Sequence, residues 1–250
     1  MSSMRFAGVA FLGLLASACG GAAPLMHTAH AIPEDEVTVG AGFSGSINIA
    51  PPDLGPENTT ESVVEEGSVS PGFAPWVGGR LGLGGDYDAG ILYTARSIRA
   101  DLRRSFPFGE DDSLAFSMGL GASGLLPKRR DDLGVRVGGF GGDIPLLFGY
   151  RSDADVYSFY LGPRVGIEYL NGQRDLPPDP LDPTLVGVES IRGWHAQAGG
   201  LLGLRIGFRY LYAAIELGGA MHWAEATVGE ADASFSVFAL RPAGALIGRF

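Results

Sequence analysis

Apolar and polar residues alternate with a period of two in segment after segment of this chain. From Val37 one set reads Val37, Val39, Ala41, Phe43, Ile47, Ile49, and the interleaved set reads Thr38, Gly40, Gly42, Ser44, Ser46, Asn48. A period of two places the sets on opposite faces of a strand. The same alternation predicts strands over 73–83, 88–95, 97–106, 114–123, 144–150, 157–169, 194–208, 211–223 and 235–250. Between 88 and 106 the phase slips. Ala89, Ile91, Tyr93 and Ala95 are the apolar set first, then Ile98, Ala100 and Leu102. A slip of one residue turns every side chain to the other face, so the chain turns or bulges near Arg96-Ser97. A turn gives ten strands. A bulge, with 37–49 outside the wall, gives eight.

Strands that are apolar on one face and polar or small on the other suit the wall of a transmembrane barrel. No apolar helical run of about 20 residues follows residue 18, so any span must be made of strands. The expected fold is therefore all-β, an antiparallel up-and-down transmembrane barrel. Short turns at 84–86, 107–112, 152–155 and 209 belong at the periplasmic end by this threading, and long loops at 51–72, 126–142 and 171–190 at the outer end. The aromatic residues then sort into two belts. Phe106, Tyr150, Tyr157, Phe208 and Phe250 form one, and Tyr93, Tyr169, Trp194 and Trp223 the other, as rings at headgroup level would. Arg104 points toward lipid in this register, near enough to the rim to snorkel.

The amino terminus reads as a signal peptide over 1–18: a basic start, an apolar run too short to span a bilayer, and an Ala16-Ser17-Ala18 cleavage pattern. Leu15-Ala16-Ser17-Ala18-Cys19 resembles a bacterial lipoprotein box, with Ala16 where leucine is usual. The resemblance implies that Cys19, the only cysteine, is lipidated. Ala29-His30-Ala31 is a second cleavage pattern, farther from the apolar run. Residues 19–36 have little pattern and read as a flexible tether in which His27 and His30 are free. Residues 37–250 are the barrel domain. The acidic stretch 53–66 reads as a solvated loop.

Ile144-Pro145-Leu146-Leu147-Phe148-Gly149-Tyr150 and Tyr160-Leu161-Gly162-Pro163-Arg164-Val165-Gly166 resemble the paired strands of small outer-membrane β-barrel proteins of Gram-negative bacteria. Phe250 resembles the terminal aromatic that such proteins offer the barrel-insertion machinery, although Gly248 stands where a second aromatic is common. The resemblance implies a cell outer membrane location, with outer-membrane lipid and the insertion machinery as partners. It is architectural, and the architecture hosts many functions.

A net charge of −10 and a pI near 4.8 exclude the basic face that nucleic-acid binding favours. Only one of the 18 basic residues, Lys128, is lysine. Arginine suits confined polar interiors because its planar fork satisfies several acceptors. The register sends Arg80, Arg96, Arg99, Asp101, Arg103, Arg164, Glu168, Arg205, Glu216, Arg241 and Arg249 inward, with His195, Gln197 and His222. A narrow barrel is filled by its own side chains, and charges packed there must pair. The expected role is structural or passive, with a charge-plugged lumen. The alternative is a narrow anion-preferring pore, because inward arginines outnumber inward acids.

An omptin-like outer-membrane hydrolase is a further reading. It would use His195 or His222 near the outer rim with Asp131-Asp132, although the paired motifs of that family are not matched. Gly40-x-Gly42-x-x-Gly45 and Gly119-x-Gly121-x-x-Gly124 run into Pro51 and Pro127 rather than a helix, so they hold no dinucleotide. No cofactor or metal is expected.

Overall fold

The computed structural model describes residues 23–49, 60–69, 71–130, 134–176 and 187–250. It contains strands β1 (Val37–Ile49), β2 (Gly72–Gly84), β3 (Tyr87–Thr94), β4 (Ser97–Phe108), β5 (Leu114–Arg130), β6 (Val135–Arg151), β7 (Tyr157–Asp175), β8 (Val188–Phe208), β9 (Leu211–Val228) and β10 (Ala231–Arg249). Each pairs antiparallel with its neighbours in sequence, and β1 pairs with both β2 and β10, so the ten strands form a closed barrel. Closure leaves no edge strand and pairs the backbone around the whole wall. The eight-strand alternative fails at both its conditions. Residues 37–49 are a wall strand, and the phase slip is a true turn. The Thr94 hydroxyl accepts from Ser97 N at 2.9 Å and Arg96 N at 3.2 Å and so holds that turn without a loop.

Two expected loops are shorter than the alternation suggested. β5 continues to Arg130 and β6 starts at Val135, while β7 reaches Asp175 and β8 starts at Val188. Pairs such as Val135↔Arg174 and Asp175↔Val188 carry the ladder past the apolar rows. Backbone pairing does not need an apolar face once the strands leave the membrane layer.

Within the stretch read as a solvated loop, Thr60–Ser68 is a helix, α1; residues 53–59 lie outside the described ones. Its Val63 and Val64 are buried in the barrel mouth among Val137, Leu170, Ile191, Ala226 and Val228. The two adjacent valines supply an apolar corner that the surrounding acids conceal in the sequence.

The burial pattern is inverted relative to a water-soluble protein. On β9, Ile215 is 63% exposed while His222 is 0% exposed. Leu120, Ile167, Leu202 and Leu246 face outward as well, and Asp88, Arg99, Arg103 and His195 are buried inside. An apolar band of this kind around a polar bore is the surface that acyl chains require. Among the described residues no helix is long and apolar enough to cross a membrane. Arg104 does face outward, with its guanidinium over the rings of Tyr87 and Phe106 at 5.2 and 4.9 Å.

The short turns after β2, β4, β6 and β8 share one end of the barrel with Val37 and Phe250, which exchange backbone hydrogen bonds of 3.0 and 2.9 Å. We call this the turn end and the opposite rim the loop end.

Because the band faces lipid, Leu217→Arg in the middle of β9 should lower the stability of the barrel in vesicles by about 2–4 kcal/mol. Glu225→Arg, near the loop end, should change it by less than about 1 kcal/mol. Urea titration of the refolded protein in vesicles measures both. Equal effects at the two sites would remove the depth dependence that the membrane band demands.

Candidate functional site: the lumen and the segment that fills it

The buried aspartates and arginines of the wall form one alternating series. Arg103 binds Asp88. Asp88 also takes Arg80 at 2.5 Å, and Arg80 reaches Asp101 at 2.7 Å. Asp101 binds Arg99, Arg99 holds Asp143 at 2.8 Å, and Asp143 takes Arg164 at 2.8 Å. The series runs Arg103–Asp88–Arg80–Asp101–Arg99–Asp143–Arg164. It begins and ends on arginine, so it is one carboxylate short.

Both ends finish on the amino-terminal segment. The stretch expected to be a flexible tether enters the lumen: Leu25 through His30 are all buried. Ala23 lies beside Arg164, Gln197 and Arg241, about half-way along their strands. From there the chain descends to the turn end, where the His30 ring meets the Asp112 carbonyl at 3.0 Å and Ile32 N donates to Asp88 at 3.2 Å. It then reverses through Glu36 and re-enters the wall as β1.

This irregular backbone is satisfied by side chains of the wall. Leu25 N and Met26 N donate to the Glu216 carboxylate at 3.0 and 2.8 Å. Ser105 donates to the Ala29 carbonyl at 2.9 Å, and Arg164 donates to the Ala23 carbonyl at 2.7 Å. Arg103 makes the densest set. Its donors reach both Asp88 oxygens, the Thr28 carbonyl, the His30 carbonyl at 2.9 Å and His27 Nδ1 at 2.8 Å. All five guanidinium N–H groups are thereby answered, three of them by the segment.

Arginine only donates, so His27 Nδ1 is an acceptor and the imidazole is neutral. Burial drives the His27 pKa well below its ordinary value, and Arg103, Arg80 and Arg99 push the same way. Burial, reinforced by Arg151, holds His30 near 4.

A second chain of hydrogen bonds stands above the segment. Arg241 Nη2 meets His222 Nε2 at 3.0 Å, His222 Nδ1 meets His195 Nε2 at 2.8 Å, and His195 Nδ1 meets Glu168 at 2.9 Å. The two rings lie within 3° of coplanar with centroids 5.1 Å apart, as an in-plane N–H···N bond requires. Because Arg241 must donate, every proton in the chain is assigned, with each imidazole neutral and pointing its N–H toward Glu168.

These geometries place each residue singled out in the sequence. Arg80, Arg99, Asp101, Arg103 and Arg164 share the alternating series, while Glu168 and Arg241 sit at the ends of the histidine chain. Arg96 donates to the Gly67 carbonyl of α1. Arg205 and Arg249 join a separate rim group at the turn end, with Asp155 at 2.8 and 2.7 Å respectively, and Arg249 also binds Glu36. Among the described residues Glu216 has no arginine within ion-pair distance; it binds the backbone of the segment and the Tyr160 hydroxyl at 2.9 Å. Cys19, Asp131 and Asp132 lie outside the described residues.

Asp88, Asp143, Asp155 and Tyr160 were not singled out. Asp143 could have been, since it is in phase with Pro145 and Leu147 on the inward row. Among the described residues no group of His, Cys, Asp and Glu could hold a metal ion.

No protein-family model matches the chain, and no curated protein matches it. Among solved structures it is similar to Neisserial surface protein A (11% identity, TM-score 0.34, covering 86% of this chain and 96% of that one). It is similar to Ail, the attachment invasion locus protein of Yersinia pestis (10%, 0.30, 87% and 100%). It is also similar to the Ralstonia pickettii toluene transporter TbuX (10%, 0.28, 94% and 97%). Likeness at this level carries no argument about the site. The chain's own geometry defines its class, a closed ten-stranded antiparallel barrel with a filled lumen.

Two outcomes follow from the seating of the segment. Arg103→Met removes three hydrogen bonds from a charged donor, each worth about 1.5–3 kcal/mol. Amide exchange at Leu25 and Met26 should accelerate at least about 100-fold, the factor for 2.7 kcal/mol, while β9 amides stay protected. Acid should act similarly. Both imidazoles are neutral when seated and gain a proton when released, so the seated state is fully favoured above about pH 6.5 and loses ground as pH falls toward about 4. His27 faces Arg103, Arg80 and Arg99, and His30 faces Arg151, Arg103 and Asp155. Exchange at Leu25 and Met26, corrected for intrinsic rates, should report this, and His27→Gln with His30→Gln should flatten the response.

Proposed function

We propose that this chain is an outer-membrane β-barrel protein of a Gram-negative envelope, held closed by its own amino-terminal segment, with a structural or passive role at rest. The turn end is its periplasmic side, and the exposed Phe250 that follows β10 is the feature presented to the insertion machinery. The apolar outer band supports the membrane placement. One observation supports closure above all: the lumen side chains Glu216, Arg103, Ser105 and Arg164 all bind the backbone of residues 23–30. Helix α1 adds a second obstruction at the outer mouth.

The hydrolase reading draws no support from His195 and His222. Both rings are buried and engaged with each other, Glu168 and Arg241, which leaves no imidazole nitrogen to activate water.

Lipid anchoring at Cys19 meets a limit of reach. Cys19 is four residues from Ala23, about 14 Å at full extension. Half the hydrocarbon layer is about 15 Å, and the wall must be rounded as well. Acyl chains in the periplasmic leaflet and a seated segment therefore compete.

Planar-bilayer recording tests the closed state. The full mature chain at neutral pH should give no steady current. A variant lacking residues 23–31 and α1 should give small steps that prefer anions. Steady steps from the intact chain would overturn the closed reading.

A further inference from the structure

Between Ala23, the first described residue of the segment, and Ser68 and Val69 at and just past the end of α1, the lumen keeps a polar cavity of about 60 Å³. Its border includes Arg96, Arg99, Arg164, Arg241, Gln197 and the carboxylates Asp143 and Glu168. At roughly 15 Å³ per water-sized position, it has room for about four waters or one small ion.

The donors around this cavity are unequally satisfied. Arg103, lower in the bore, has an acceptor for each of its N–H groups. Among the described residues Arg164 has acceptors for two, from Nε to Asp143 and from Nη1 to the Ala23 carbonyl. Among the same residues Arg241 has an acceptor for one, His222 Nε2. Its Nε is buried with no partner among the described residues, and so is Gln197 Oε1 on the same border. An amide with an unpartnered oxygen can be turned to offer its NH₂ group instead.

Among the described residues no carboxylate stands within ion-pair distance of Arg241. Asp143 is shared between Arg99 and Arg164, and Glu168 stands at the far end of the histidine chain, two imidazole rings away. A guanidinium held this way in a confined bore lacks the close counter-charge that burial calls for.

We propose that this mid-lumen cavity binds one small inorganic anion, of phosphate size or less, with Arg241 as its principal ligand and Arg164 and Gln197 completing the cradle. The anion supplies the acceptors that the wall omits, as the backbone carbonyls of the segment do for Arg103 below. This inference does not depend on whether the barrel conducts. A closed lumen can hold a resident anion, and a conducting one would pass it through the same cradle.

The test uses the full mature chain refolded in neutral-lipid vesicles, with inorganic phosphate as the probe at constant ionic strength. The urea midpoint of the wild type should rise with phosphate and saturate. Arg241→Gln should abolish the rise. Gln197→Glu places a carboxylate at the border of the cavity; it should raise the midpoint without phosphate and remove the response. This second variant keeps the test decisive where Arg241→Gln does not fold. Crystals grown in bromide should show anomalous density within hydrogen-bonding distance of the Arg241 guanidinium. A wild type that does not respond to phosphate, a Gln197→Glu variant that responds as the wild type does, or bromide density absent from the cavity would each overturn the site. Conductance plays no part in these readouts, so failure here leaves the closed-barrel reading to its own test.

Discussion

Each guanidinium in a confined bore has to find acceptors for several N–H groups, and the described wall residues do not provide enough of them. Its alternating series holds Arg103, Arg80, Arg99 and Arg164 against Asp88, Asp101 and Asp143. An unpaired charge at either end would cost several kcal/mol. The series ends instead on backbone carbonyls of the amino-terminal segment, with Thr28 and His30 at one terminus and Ala23 at the other. The segment is therefore the missing part of an electrostatic structure as well as an obstruction.

The dependence runs both ways. Residues 23–31 form no helix or strand, so their own peptide groups need partners in the lumen. Glu216 serves this need. It meets no arginine among the described residues, and its carboxylate accepts Leu25 N, Met26 N and the Tyr160 hydroxyl. Apolar contacts add to the hold, since Met26 packs with Trp76, Leu92 and Tyr212, and Leu25 with Leu147 and Tyr160. Lumen and segment thus satisfy one another, which makes seating cooperative and makes loss of a single hub such as Arg103 costly.

The wall was legible in the sequence because a strand writes its two faces into neighbouring residues. Val37 to Ile49 shows both faces, and the slip at Arg96-Ser97 narrows the chain to a turn or a bulge, which the Thr94 hydroxyl bonds resolve as a turn. The inward arginines followed from the same register. Asp143 follows from it only when read back from Pro145 and Leu147, because Gly138, Gly139, Gly141 and Gly142 blank the alternation on its other side. Asp88 is in phase with Gly90 and Leu92 but opens its alternating run, beside the irregular pairing at Gly82/Gly84. The segment was illegible for a deeper reason. Its partners lie far away in sequence, with Leu25 and Glu216 separated by 191 residues, and an irregular chain held by distant side chains has no period to display. α1 stayed hidden because two valines carry its packing and its remaining residues resemble a solvated loop.

The plugged lumen and the anion-preferring pore are rival readings of the same arginines, and the closed-barrel proposal relates the two. With the segment seated, Arg103 and Arg164 are answered by carbonyl oxygens, which offset the guanidinium charge locally without cancelling it. Were the segment withdrawn, those same groups would face a water-filled bore with a carboxylate deficit, and the favoured entrants would be anions. On the closed-barrel proposal, closure and selectivity become two occupancies of one donor array, filled by peptide oxygen in the first case and by a mobile ion in the second. The histidine chain fits this division. Its polarity is fixed by Arg241 at one end and Glu168 at the other, and it holds the Arg241 guanidinium on the border of the cavity.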